Sequence, residues 1–170
     1  MVDIKDGANY APSAAADKVV APGEFPFAAA FLDHGHIYGQ TNGLRDAGAT
    51  LRWVYDPDPG RVARFVETYP GVRLAAGWEQ ILDDQEVELV CSAAIPSERA
   101  EVGMRVLDAG LDYFTDKSPF TTLEQLAAVE SVVERTGGKY AVYYAERLHN
   151  EAAWRAGELI AEGAIGRVLQ

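Results

Sequence analysis

The amino-acid sequence predicts an α/β fold built on a doubly wound parallel sheet, with helices on both faces. Two observations predict it. Six short apolar runs recur between Phe25 and Ala145, and the gaps between them carry helical spacing or helix-ending residues. Strands separated by helices are not hairpins: the chain must cross over and return in the same direction, so the strands lie parallel. Right-handed crossovers and one reversal of winding complete the arrangement.

Pro26–Leu32 (PFAAAFL) is the first expected strand, closed by the polar turn Asp33–His36, with a helix over Ile37–Ala47 that ends near Gly48. Thr50–Tyr55 (TLRWVY) is the second, broken by Asp56-Pro57-Asp58-Pro59-Gly60; Arg61–Tyr69 is then helical before Pro70-Gly71. A weak strand over Val72–Ala75 leads to a short helix over Trp78–Leu82. Val87–Ala93 is a continuous apolar run, the pattern of a strand buried on both faces. Pro96-Ser97 opens a helix that reaches Ala109, with Gly110 placed as its C-cap. Asp112–Thr115 is the fifth strand, and Lys117–Phe120 a loop. Thr121 and Glu124 have the spacing of a capping box, in which each side chain satisfies a free amide of the helix start. Leu123, Leu126, Ala127, Glu130 and Val133 continue that helix to Gly137-Gly138. Tyr140–Ala145 is the sixth strand, and a last helix covers Asn150–Glu162. Residues 1–24 are expected as an irregular N-terminal arm, 25–147 as the sheet domain, and 148–170 as a linking helix with the start of a further segment.

The 170 residues suffice for one ordinary domain, or a domain and part of another, and 48% hydrophobic with 24% charged residues is the composition of a folded chain. Fifteen basic against 26 acidic residues leave a net charge of −11, which argues against nucleic acid and against anionic membrane surfaces as partners. No apolar run approaches the roughly 18 residues of a membrane span. The N-terminus lacks the basic start and apolar core of a secretory signal, so a cytoplasmic location is expected. Cys91 is the single cysteine, which excludes a disulfide framework and a thiolate zinc cluster. Inside an apolar strand it acts as a small hydrophobe rather than a nucleophile.

Ligands of doubly wound sheets gather outside the carboxyl ends of the strands. After the first strand, Asp33-His34-Gly35-His36-Ile37-Tyr38 stands where a dinucleotide fold carries G-x-G-x-x-G, whose glycines let a pyrophosphate approach a helix N-terminus. Only Gly35 matches. Asp33 takes the first glycine place, and its carboxylate disfavours a nearby phosphate unless it points away. Asp56 follows the second strand, 23 residues after Asp33, where a carboxylate accepts hydrogen bonds from an adenosine ribose and repels a 2′-phosphate. That favours NAD, while nearby Arg61 leaves NADP open; the same segment also reads as a turn capping the next helix. Asp33, His34 and His36 offer metal donors, but metal sites need ligands converging from several elements and the one other histidine is His149, so no metal is expected. Lys117, one of four lysines, follows the fifth strand, where an ammonium could hydrogen-bond a ribose and a substrate oxygen or, partly desolvated, move a proton. An exposed loop lysine is the plainer reading. Glu146 and Arg147 add a charged pair after the sixth strand.

Taken in order, the stretches VYDPDPGRVARFVETYPGV, AAIPSERAEVGMRVLDAGLDYFTDKSPF and ERLHNEAAWRAGELIAEGAIGRV resemble the N-terminal NAD(P)-binding Rossmann domain of the Gfo/Idh/MocA oxidoreductase family, over about Phe25 to Gln170. Where family members carry E-K-P, this chain has Asp116-Lys117-Ser118-Pro119: the lysine is kept, the acid shortened and the proline displaced by one. The resemblance implies Lys117 as the catalytic residue, in contact with the nicotinamide ribose or substrate. It further implies Gly35, His36 and Ile37 at the pyrophosphate turn, Asp56 at the adenosine ribose, Ala94 and Pro96 along the cofactor, and Arg147 as the arginine after strand six. The implied cofactor is NAD, with NADP open. The implied reaction is hydride transfer between the nicotinamide and a secondary alcohol or ketone carbon of a sugar or polyol.

Family members continue past a GxIGxV-like segment, here Gly163–Val168, into a second α/β domain that supplies much of the substrate pocket and the oligomer interface. The chain is therefore expected to be the cofactor-binding half, cut from a longer protein or encoded short. On its own it is expected to be incomplete for catalysis, and to form a homo-oligomer only with that second domain. A strand starting at Arg167 would lack sheet partners. Two other functions stay open: a nucleotide-binding or scaffold module that kept the fold without turnover, and an S-adenosylmethionine-dependent transferase, which also uses a parallel sheet and an acid after strand two. Lys117 and the last helix argue against the transferase.

Overall fold

A computed structural model describes residues 17–144 and 150–169. Residues 17–143 form one compact unit, and 144 with 150–169 belong to a second; each is described by itself. The elements of the first are β1 (Pro26–Ala30), α1 (His36–Asp46), β2 (Thr50–Tyr55), α2 (Pro59–Thr68), β3 (Arg73–Leu74), α3 (Trp78–Leu82), β4 (Leu89–Ser92), α4 (Arg99–Asp108), β5 (Asp112–Asp116), α5 (Leu123–Thr136) and β6 (Tyr140–Tyr143). The second contains α6 (Glu151–Ala161), capped by the Asn150 side chain, which accepts from the Ala152 amide.

The six strands make one sheet in the order β3-β2-β1-β4-β5-β6, and every neighbouring pair is parallel. This is the doubly wound sheet the sequence predicts, with its reversal of winding between β1 and β4. Alternate residues of β1 feed opposite faces. Phe27 and Ala29 pack with Ile37, Val54, Phe65 and Tyr69 on one side; Ala28 and Ala30 pack with Trp78, Ile81, Val102 and Val106 on the other. Two-sided burial is why β1 and β4 read as continuous apolar runs rather than as an alternation. Gly103 lets α4 lie close to the sheet: a Cβ there would fall 2.6 Å from Cδ1 of the buried Tyr113 ring.

Three local expectations are corrected. Helix α2 begins at Pro59, two residues before the expected Arg61, because Asp58 caps it: its carboxylate accepts from the Gly60 amide at 2.7 Å, and proline suits the first helical position. The capping box of α5 sits one residue later than expected. Thr122 accepts from the Gln125 amide at 3.2 Å, and the Gln125 side chain accepts from the Thr122 amide at 3.3 Å. Helix α4 begins at Arg99, after a turn over residues 96–98, rather than at the expected Pro96-Ser97. Within the expected arm, the Val19 amide donates to the Ala47 carbonyl at 2.8 Å at the end of α1, while its first sixteen residues lie outside the described ones.

Candidate functional site

The strand order sets the residues after β2, β1, β4 and β5 side by side along one edge of the sheet. Asp56 and Lys117 therefore share that edge, with their strands about 14 Å apart at three strand spacings. Between them lies the turn that joins β1 to α1, and its geometry is imposed by its neighbours. Phe31 has a left-handed backbone with φ 56°, unusual for a bulky residue. Its amide donates to the Tyr55 carbonyl at 3.0 Å, its carbonyl accepts from the Ala93 amide at 3.1 Å, and its ring packs edge-on against Trp78 at 5.0 Å. Such over-determination is what sustains a strained backbone. Beyond Phe31, the His34 amide donates to the Ala93 carbonyl at 3.2 Å, and α1 starts at His36, whose amide donates to His34 Nδ1 at 3.2 Å, with no acid in its first turn. The helix's own first turn thus brings no carboxylate to the positive end of its dipole, and Asp116 approaches it from β5 through His36.

On the β2 side, one guanidinium meets three carboxylates. Arg61 Nη1 lies 2.7 Å from Asp33 and 3.3 Å from Asp56, and its Nε 3.8 Å from Asp58. Asp33 is thus turned to a cation. The Asp56 carboxylate has no exposed surface: it accepts from the Leu32 amide at 2.6 Å and the Asp58 amide at 2.7 Å as well as facing Arg61. It holds the loops after β1 and β2 together, and its reach toward a ligand is far more limited than the sequence suggests.

On the β5 side, buried Asp116 gathers three donors. Arg99 Nη2 lies at 3.2 Å, the Lys117 amide at 2.8 Å and His36 Nδ1 at 2.9 Å, while His34 Nδ1, 3.4 Å from the same carboxylate, accepts from the His36 amide at 3.2 Å. An imidazole that donates from Nδ1, as His36 does toward a carboxylate, keeps Nε2 for another partner. Arg99 also donates to the Ala94 carbonyl at 2.6 Å and the Ser118 carbonyl at 3.0 Å, tying the loops after β4 and β5 to one another. His34, His36 and Asp116 present donor atoms within 4.8 Å of one another, so the expectation that no ligand from another element joins the histidines is corrected. The electrostatics nevertheless oppose a divalent cation: Arg99 sits on the same carboxylate, and the start of α1 adds positive potential.

The remaining expected residues divide. Gly35 is exposed at the α1 cap, with open space where a Cβ would stand. The Ile37 side chain is committed to the core, so only its backbone is available to a ligand. Ala94 is buried, Pro96 and Lys117 are exposed, and Arg147, Glu146 and His149 lie outside the described residues. Sequence reasoning missed Arg99 entirely. One arginine near a helix start looks like any surface arginine, and only the fold brings Asp116 and the Ala94 carbonyl to it.

Comparison with known proteins follows the same line. The model of an oxidoreductase family with an NAD-binding Rossmann fold, Gfo/Idh/MocA, matches residues 29–144. No curated protein matches the chain. Among solved structures, an oxidoreductase from Erwinia carotovora atroseptica is 48% identical with a TM-score of 0.79, covering 86% of this chain and 44% of that one. Levoglucosan dehydrogenase in complex with NADH and levoglucosan is 19% identical with a TM-score of 0.72, covering 85% of this chain and 41% of that one. Biliverdin reductase from Synechocystis, with biliverdin and NADP+, is 19% identical with a TM-score of 0.64, covering 72% and 39%. The chain spans less than half the length of each of these structures.

Proposed function

The chain belongs to the Gfo/Idh/MocA oxidoreductase family, with its NAD-binding Rossmann fold, and from that premise we propose that it is the cofactor-binding part of an NAD(P)-dependent dehydrogenase acting on a sugar or polyol. The observation that carries this reading is the start of α1, with no acid in its first turn, at the reversal of winding and beside the loops after β4 and β5. A helix start of this kind stabilises an anionic pyrophosphate through its dipole and the amides that turn to it. Gly35 leaves room for close approach, while the His36 and Ile37 amides, bonded to His34 Nδ1 and to the His34 carbonyl at 3.2 Å each, would reach a pyrophosphate by giving up those bonds. Ala94 and Pro96 line the cofactor's path with small, rigid surface. The nicotinamide, when bound, accepts or donates the hydride.

Lys117 stands at the far end of that path. Its ammonium would hydrogen-bond the substrate hydroxyl and the nicotinamide ribose and assist proton movement at that oxygen. The Arg99–Asp116 pair supports this role indirectly, by fixing the backbone on both sides of Lys117. Asp56 reaches an adenosine ribose only if Oδ1 gives up Arg61, the longest of its three contacts at 3.3 Å. The sugar or polyol class leans on the levoglucosan dehydrogenase neighbour, while the biliverdin reductase neighbour carries a different substrate on a similar fold. Titrating NADH with the protein and following nicotinamide fluorescence tests the proposal. Saturable enhancement is expected; no saturation at millimolar concentrations would contradict it.

A further inference from the structure

We propose that Asp33 determines cofactor choice, by holding Arg61 away from a 2′-phosphate so that the site takes NAD(H) in preference to NADP(H). This rests on the dinucleotide reading given above and sharpens it. An arginine just after the second strand is the group expected to receive a 2′-phosphate, which is why the sequence alone leaves both cofactors open. In the folded chain that guanidinium is already engaged. Its closest partner is Asp33 at 2.7 Å, and Asp56 and Asp58 also face it. Three carboxylates against one guanidinium leave a formal excess of two negative charges at the corner where an adenosine ribose would lie.

The arrangement is only partly exposed to water. The Arg61 side chain retains 31% of its surface, Asp33 less, and Asp56 none, so screening is weaker than for a surface pair. A 2′-phosphate brings nearly two further negative charges. To pair with Arg61 it must displace Asp33, leaving that carboxylate uncompensated beside the phosphate. An unphosphorylated ribose makes no such demand. Asp33 stands in the place of the first glycine of the dinucleotide turn, where glycine would remove the guanidinium's closest partner and leave only the longer contacts to Asp56 and Asp58. The carboxylate that looks like a defect in the phosphate-binding motif is thus turned away from the phosphates and acts on the other end of the cofactor.

The test measures NADH and NADPH dissociation constants on the whole chain for the wild type, Asp33→Asn, Arg61→Ala and the double variant. The wild type is expected to favour NADH by about tenfold or more, about 1.4 kcal/mol. Asp33→Asn is expected to move the ratio by about tenfold toward NADPH, and Arg61→Ala in that background to abolish the shift. Asp58→Asn keeps a side chain able to cap α2, and serves as a second variant with a smaller shift in the same direction. An unchanged ratio in folded Asp33→Asn and Asp58→Asn proteins overturns the proposal, as does a shift that survives loss of Arg61. Binding of neither dinucleotide by the wild type overturns the cofactor reading and this proposal with it.

Discussion

The guanidinium of Arg99 lies 3.2 Å from the carboxylate of Asp116, and the two side chains keep only 3% and 2% of their surface. Two buried ions in contact stabilise a fold only when their other valences are satisfied. Here they are: Arg99 donates to the Ala94 and Ser118 carbonyls, and Asp116 accepts from the Lys117 amide and from His36 when its Nδ1 carries the proton. The pair joins the ends of β4 and β5 to the turn after β1.

Removing one partner leaves the other charge buried. Arg99→Ala is expected to lower unfolding stability by about 3–5 kcal/mol, measured by urea denaturation. Arg99→Lys keeps the charge but loses the fork that reaches three acceptors, and should fall between. A loss below about 1 kcal/mol for Arg99→Ala would show that the pair is not structural.

Lys117 is proposed to face the nicotinamide end of the cofactor. Lys117→Ala is expected to weaken NADH binding by about tenfold, the worth of one charge-assisted hydrogen bond, with little effect on the thermal midpoint because the side chain is exposed. Unchanged NADH affinity in a folded variant would remove Lys117 from the cofactor site.

Acid should weaken the fold partly through Asp84. The Arg52 side chain bonded to it, with the Trp53 indole and the Glu86 amide, lowers its carboxyl from 3.8 to about 2. Because the folded state holds the ionised form more tightly, this contribution is complete above the unfolded value near 4 and disappears as pH falls toward 2. The group is partly exposed, so its worth is about 1–2 kcal/mol. Urea midpoints of wild type and Asp84→Asn should differ at pH 6 and converge near pH 2; a gap that stays constant across this range would contradict the assignment.

Cys91 is enclosed in β4, and burial pushes its thiol up to about 12. The native protein should give no reaction with a disulfide reagent at pH 8, and one thiol per chain after denaturation. Rapid labelling of the native state would show that β4 opens.

Periodicity and punctuation made the fold legible. Continuous apolar runs at Pro26–Leu32 and Val87–Ala93 belong to strands buried on both faces, and Thr50–Tyr55 coincides with β2. Helix starts were less legible, because neighbouring residues of similar chemistry compete: Thr121 and Thr122 both offer hydroxyls, and Gln125 rather than Glu124 completes the box. Sequence order located Asp56 and Lys117 at one edge. It was silent on what their neighbours would do, since contacts such as His36–Asp116 join residues 80 apart. The enclosure of Asp56 and the engagement of Arg61 with Asp33 likewise depend on loops that only the sheet brings together.

The central claim is that a dinucleotide lies across the carboxyl edge of the sheet, from the corner of Asp33 and Asp56 to Lys117. Amide chemical shifts of isotope-labelled protein titrated with NAD test it most directly. The amides of Gly35, His36, Ile37, Ala94 and Lys117 are expected to shift together along one binding curve. Shifts confined to α6 or to the opposite edge of the sheet, or no shifts at saturating cofactor, would contradict it.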